Sequence, residues 1–145
     1  METKKIPDNF YKKIIDNLPI FCVDAVVVHQ KGFLLVRRKN NPLKGRWFLP
    51  GGRVLRGEKT EAAVKRKIKE ELGIQVRVLM PLGYHEDFYK ENEFNSKKGI
   101  HTIGIIFLVV PLSLDVKLDN QSSDWKFSQK LPKELKIKPF GGFQP

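Results

Sequence analysis

Apolar and polar positions along the chain fall into a few clear periods. Asp8 to Asn17 opens on a capping residue and sets Phe10, Ile14 and Ile15 at helical spacing, while Pro19 bars continuation; this predicts an N-terminal helix over about residues 8–18. Ile20 to His29 is a near-continuous β-branched run. With Lys31 and Gly32 as a turn and Phe33 to Arg37 returning, it predicts a hairpin in a buried sheet. Lys39 to Arg46, holding Asn40, Asn41, Pro42 and Gly45, is a loop by composition, and Trp47, Phe48 and Leu49 form a brief strand stopped by Pro50. From Thr60 to Gly73, the residues Val64, Ile68 and Leu72 recur at intervals of four, an apolar stripe that seats a charged helix against a sheet. Gln75 to Tyr84 and Ile100 to Val110 predict further strands, with Glu86 to Gly99 as a long polar loop between them. Beyond Pro111 the chain turns polar. A short helix is expected after Pro132, and a loosely held tail after Pro139.

Composition narrows the class without choosing a chemistry. The 145 residues, 41% of them hydrophobic, suit one domain with one ordinary core. No basic-then-apolar leader and no long apolar run is evident, so the expectation is a soluble cytoplasmic protein with no membrane partner. The single cysteine, Cys22, excludes an intrachain disulfide and sits in an apolar run, as a small buried hydrophobe rather than a nucleophile. The formal charge of +11 favours anionic small molecules. Pairs such as Lys12-Lys13 and Lys97-Lys98 are short and lack interleaved aromatics, which argues against nucleic-acid binding.

The candidate chemistry gathers around the helix from Thr60. Residues three and four apart share a helix face, so Lys67, Glu70 and Glu71 occupy one narrow arc. Carboxylates near a helix C-terminus face the negative end of the macrodipole and call for a compensating cation. Glu58 adds a further acid at the mouth of the helix. Two answers are available: a hard divalent ion such as Mg2+, or simple pairing of Arg66 with Glu70 and Lys67 with Glu71. Asp24, a charge inside an apolar strand, must be paired or must contact ligand. Gly51 and Gly52 permit a close backbone approach.

The spacing is informative. Gly52, Glu58, Arg66, Ile68, Glu70, Glu71, Gly73 and Ile74 stand in the order and at the intervals of the Nudix box, G-x5-E-x7-R-E-U-x-E-E-x-G-U; only Lys67 departs, where the pattern has Glu. The chain thus resembles the Nudix hydrolases over residues 52–74. The run LLVRRKNNPLKGRWFLPGGRV, the DNFYKKIIDNLPI leader and the FYKENEF loop look like the GDP-mannose mannosyl hydrolase branch.

This resemblance implies an α/β (α+β) fold, an α/β/α sandwich with a mixed sheet in a single domain spanning 1–145. It implies a Mg2+-dependent hydrolase, with Mn2+ as an alternative ion, acting on a nucleoside diphosphate linked to another group. Cation ligands by likeness are the Gly51 carbonyl, Glu71 and the Gln121 amide oxygen, with Glu58 and Glu70 as further acids. Arg38 and Arg53 would grip the diphosphate. Asp24 and Tyr89 would position nucleotide or sugar, and Lys67 would contact a phosphate or pair with Glu71. The branch places a histidine base directly after the glutamine, where this chain has Ser122; His101 and His85 are the replacement candidates. Arg38, Arg53, Glu70, Glu71 and His101 form the expected catalytic set. Attack on the sugar carbon is the first expectation. Attack on phosphorus of ADP-ribose or a nucleoside triphosphate is the second, and a silent nucleotide-binding module the third. A homodimer is compatible with the likeness.

Overall fold

A computed structural model describes residues 5–141. Its elements are α1 (Asp8–Asn17), β1 (Ile20–His29), β2 (Gly32–Arg38), β3 (Trp47–Phe48), β4 (Gly51–Arg53), α2 (Thr60–Leu72), β5 (Val76–Tyr89), β6 (Ile100–Pro111), β7 (Ser122–Ser128) and β8 (Lys138–Pro139). The strands form a mixed, eight-stranded sheet ordered β3-β2-β1-β6-β5-β8, with β4 also on β1 and β7 also on β2. β1 lies at its centre. It runs parallel to β6 from Ile20–Thr102 to Val27–Val109 and antiparallel to β4, where Asp24 faces Gly51. The β-branched run of β1 is therefore covered on both faces, as such runs are when helices or loops pack on both sides of a sheet.

The apolar stripe of α2 meets one of those faces. Val64, Ile68 and Leu72 are fully buried with Val23, Ala25, Val27, Leu34 and Val109. Gly73 ends the helix with φ 68°, the left-handed position that glycine adopts without strain. Because Ile68 sits at the middle of this contact, Ile68→Val should cost about 0.5–1.5 kcal/mol in urea unfolding through the lost methyl group.

The opposite face carries Val26, Leu35, Phe48, Leu49 and Ile106, covered by Leu131, Leu135 and Ile137. That cover corrects the expected helix after Pro132: the segment makes a single turn, Leu135 N–H donating to Pro132 O at 3.1 Å, and then joins the sheet as β8. Phe140 stacks on Tyr84, ring centroids 6.0 Å apart, so the described part of the tail is held, and 142–145 lie outside the described residues. The polar chain expected beyond Pro111 contains a strand, β7, in which Phe127 pairs with Leu34 and Trp125 with Val36. β5 also runs past Tyr84 to Tyr89, because Asp87 and Tyr89 keep partners in Thr102 and Ile100 of β6. That extension lies beside the site.

Candidate active site

A cleft of about 180 Å³ opens where α1, the end of β2, β4 and the extended part of β5 converge. Asp24, Arg38, Gly51, Gly52, Arg53, His85, Asp87, Tyr89, Tyr11 and Glu93 all contribute to its wall. β1 supplies Asp24 opposite Gly51, and the close approach requires the glycine: a Cβ at residue 51 would lie 2.4 Å from Asp24 Oδ1. On β5, strict alternation sends His85, Asp87 and Tyr89 to the cleft side.

His85 joins the two acids of this wall. Its Nε2 lies 2.8 Å from Asp24 Oδ2 and its Nδ1 2.6 Å from Asp87 Oδ2. Burial alone would lower the imidazole pKa, but the hydrogen bonds to Asp24 and then Asp87 outweigh it and push the group up to about 9. Both ring nitrogens therefore face carboxylate oxygens, Nε2 in a hydrogen bond to Asp24 and Nδ1 close to Asp87, which leaves the ring badly placed to take a proton from water. His101 is displaced from the expected catalytic set for a simpler reason. Its neighbours Ile100 and Thr102 line the cleft, whereas its own ring turns to the other face and stacks on Phe88 at 4.3 Å.

Arg38 and Arg53 both line the cleft. Arg38 Nε donates to Pro42 O at 2.7 Å, and the Arg53 guanidinium lies 4.9 Å over the Tyr11 ring. Among the described residues, no hydrogen bond engages the Arg53 guanidinium or the remaining Arg38 nitrogens. Tyr11 sits edge-on to Phe94, which is carried by a loop organised around Asn92. The fully buried Asn92 side chain donates to Gly99 O and accepts from the Phe94 and Ser96 amides. Tyr11, Asp87 and Glu93 were not foreseen. Tyr89, expected in the loop, ends β5 and lines the cleft, its hydroxyl pKa raised chiefly by burial.

The acids of the α2 arc divide into two groups. Glu71 is nearly buried, and its Oε2 accepts from the Gly51 amide at 3.3 Å. Burial drives its carboxyl up to about 7 even though the Lys67 ammonium pulls the other way. Glu71 lies beside a glycine corner and near Asp119 but off the cleft lining, and among the described residues no three His, Cys, Asp or Glu side chains stand together to hold a metal ion. Glu58 and Glu70 are placed differently. Arg66 forks onto both oxygens of Glu58 at 2.7 and 3.0 Å, reaches Glu70 Oε1 at 3.0 Å and donates to Arg53 O at 2.9 Å. The Arg66 hydrogen bond, above all, lowers the Glu58 pKa. For Glu70, burial would raise it, and the contacts of Arg66 and Lys67 prevail and lower it. These two acids brace the loop onto the helix, and neither lines the cleft. Gln121 lies outside the cleft lining as well, its amide oxygen accepting from Asn40 Nδ2 at 3.2 Å. Buried Ser122 pairs with Arg38 across β7 and β2.

Comparison with known proteins meets this geometry from a second direction. The NUDIX domain pattern matches residues 19–137, and the chain belongs to the Nudix family. It is a Nudix hydrolase. It is 36% identical over 124 residues to the low-salt glycan biosynthesis protein Agl8 of Haloferax volcanii, covering 86% of this chain and 80% of that one. An ADP-ribose pyrophosphatase of Methanocaldococcus jannaschii is 35% identical over 109 residues, 75% of this chain and 61% of its own. The crystal structure of a MutT NUDIX hydrolase from Burkholderia pseudomallei superposes with a TM-score of 0.67 at 27% identity, covering 81% of this chain and 93% of that one. The mixed α+β fold described above is that of the Nudix hydrolases.

Proposed function

We propose that this hydrolase acts on a nucleoside diphosphate joined to a sugar, with GDP-mannose as the first substrate to test, and expels the nucleoside diphosphate. The observation that carries the reading is the pair of uncommitted guanidinium groups, Arg38 and Arg53, facing one cleft beside the Gly51–Glu71 corner. Two planar forks of fixed positive charge match two adjacent phosphates, and in a partly dry cleft they stabilise charge that builds on a departing diphosphate. The similarity to Agl8, whose name ties it to glycan biosynthesis, supports a sugar-bearing substrate.

Nudix hydrolases generally use divalent metal ions. Glu71 and, by likeness, the Gly51 carbonyl rather than the N–H that Glu71 accepts from, would hold a Mg2+ or Mn2+ ion, and such an ion would supply Lewis-acid neutralisation of phosphate oxygens. The chain's own residues do the rest. Arg53 is held in place by the Tyr11 ring and by the Arg66 bond to its carbonyl, and Arg38 by Pro42. Asp24 and Asp87, clamped by one imidazolium, keep oxygens at the cleft wall for sugar or ribose hydroxyls.

A second reading, attack on phosphorus, is favoured by the similarity to an ADP-ribose pyrophosphatase and by the absence of an uncommitted imidazole from the cleft wall among the described residues. Turnover of a nucleotide-sugar panel in 18O-labelled water separates the two. Label in the free sugar is the expected result; label in phosphate would overturn carbon attack.

A further inference from the structure

The chain carries a formal charge of +11, yet the wall of its cleft is balanced. Arg38, Arg53 and His85, which stays protonated up to about pH 9, share that wall with three acids, Asp24, Asp87 and Glu93. Two of the acids already answer to the imidazole, Asp24 at 2.8 Å and Asp87 at 2.6 Å. Glu93 is the third. Among the described residues its carboxylate has no hydrogen-bond or ion-pair partner. An unpaired anion beside two uncommitted guanidinium groups works against phosphate binding, so its position there calls for a reason.

The loop fixes where that anion stands. Asn92, immediately before it, is fully buried, donates from Nδ2 to Gly99 O at 2.8 Å and accepts from the Phe94 and Ser96 amides at 2.9 and 3.2 Å. Phe94, immediately after it, packs edge-on against Tyr11, whose ring also carries the Arg53 guanidinium. The backbone of Glu93 is thus pinned on both sides, while its side chain stands at the exposed mouth of the cleft. Desolvation at the cleft wall and then Asp8 raise its carboxyl pKa, and Lys5, Arg38 and Arg53 pull the other way. The two arginines are within its electrostatic reach.

We infer that Glu93 is a charge filter at the mouth of the cleft: its carboxylate repels ligands more negative than a diphosphate joined at both ends, so the site prefers a nucleoside diphosphate sugar to a nucleoside triphosphate. The inference rests on the reading of Arg38 and Arg53 as the diphosphate grip. A diphosphate esterified at both ends carries about two negative charges, whereas a free terminal phosphate brings a triphosphate to about four near pH 8. The pull of the arginines and the push of Glu93 both grow with that charge. Two fixed cations alone would favour the triphosphate, and the acid offsets that advantage.

Equilibrium binding of GDP-mannose and GTP, which share one base, tests this at pH 8 and about 0.15 M salt, in a chelating buffer and again with Mg2+. Wild type should hold GDP-mannose more tightly than GTP. Glu93→Gln should tighten GTP about tenfold and GDP-mannose only about threefold, because the repulsion removed doubles with the ligand's charge. Glu93→Asp should keep the wild-type ratio of the two Kd values. Glu91→Gln, which removes the same charge from the same loop but outside this cleft, should keep it too. A purely structural defect would weaken both ligands together and leave their ratio alone. An unchanged ratio in Glu93→Gln, an equal change in Glu91→Gln, or tighter binding of GTP than of GDP-mannose by wild type would each overturn the filter while leaving the diphosphate grip standing. Binding of neither ligand in either buffer would remove the grip, and the filter with it.

Discussion

Glu71→Gln should reduce turnover by at least about 1,000-fold with little change in stability. The replacement keeps a carbonyl oxygen that can accept from the Gly51 amide, so the corner between β4 and α2 stays closed. What it deletes is the negative charge, and a hard divalent ion held by oxygen ligands depends on that charge far more than on the shape of the side chain. Burial makes the loss unusually clean. Desolvation drives Glu71 up to about 7 in the ion-free protein, so the neutral amide removes a poorly solvated charge and offsets the lost contact with the Lys67 ammonium. Chelation of divalent ions should silence wild type to the same depth, and restoring Mn2+ should rescue wild type but not the variant. Steady-state rates before and after chelation, alongside thermal melts, make the measurement. Equal rates in the two proteins would remove Glu71 from the site.

The parts of this site that were legible in the sequence are those with local periodicity. α2 was readable because Val64, Ile68 and Leu72 repeat every four residues, and the same repeat fixes Glu71 one step round from the buried stripe, close enough to the sheet to reach Gly51. Asp24 announced itself as a charge in an apolar strand, and it is indeed paired. Arg38 and Arg53 are the last residues of β2 and β4, and both line one cleft, a juxtaposition set by the sheet rather than by local periodicity.

What stayed hidden depends on pairings remote in sequence. Glu86, Asp87, Phe88 and Tyr89 read as loop because polar residues dominate, but β6 supplies a partner for each of them and the strand continues. One clue was present: Gly104, a lone glycine inside an apolar strand. A Cβ there would lie 2.4 Å from His85 Nε2, so that glycine marks the space the imidazole fills. Tyr11 gave no such clue. On α1 it is one more side chain of an amphipathic helix, and only the packing of α1 beside Arg53 and Phe94 turns it towards the cleft. The pairing of Arg66 with Glu70, and of Lys67 with Glu71, was weighed as an alternative to ion binding. Both ion pairs form, and they divide the acids: Glu58 and Glu70 go to Arg66, while Glu71 faces Lys67 with one oxygen and accepts from the Gly51 amide with the other.

The second large effect concerns stability against pH, and it isolates the Asp24–His85–Asp87 bridge. In the ion-free protein, wild type should lose about 2–4 kcal/mol of unfolding free energy between pH 6 and pH 9.5, and His85→Gln should lose much less over the same range. The sign follows from the direction of the shift. His85 titrates at about 9 when folded, above its ordinary value of 6.5, so the folded state holds the proton more firmly than the unfolded chain. Its stabilising contribution is complete below 6.5 and disappears as pH rises through 9. Glu71 acts with the same sign in a lower window, its contribution complete below 4.5 and lost by about 7, so a series confined to pH 7 and above reports mainly on the imidazole. Once His85 is neutral, two nearly buried carboxylates face a ring that can donate to only one of them, and the wall of the cleft loses the charge that holds it together. Glutamine can donate to both acids but carries no proton to lose, which is why its curve should flatten. Urea unfolding of both proteins at pH 7, 8, 9 and 9.5 in a chelating buffer is sufficient, and parallel curves would show that His85 is neutral in the folded protein and that a different clamp secures Asp24 and Asp87.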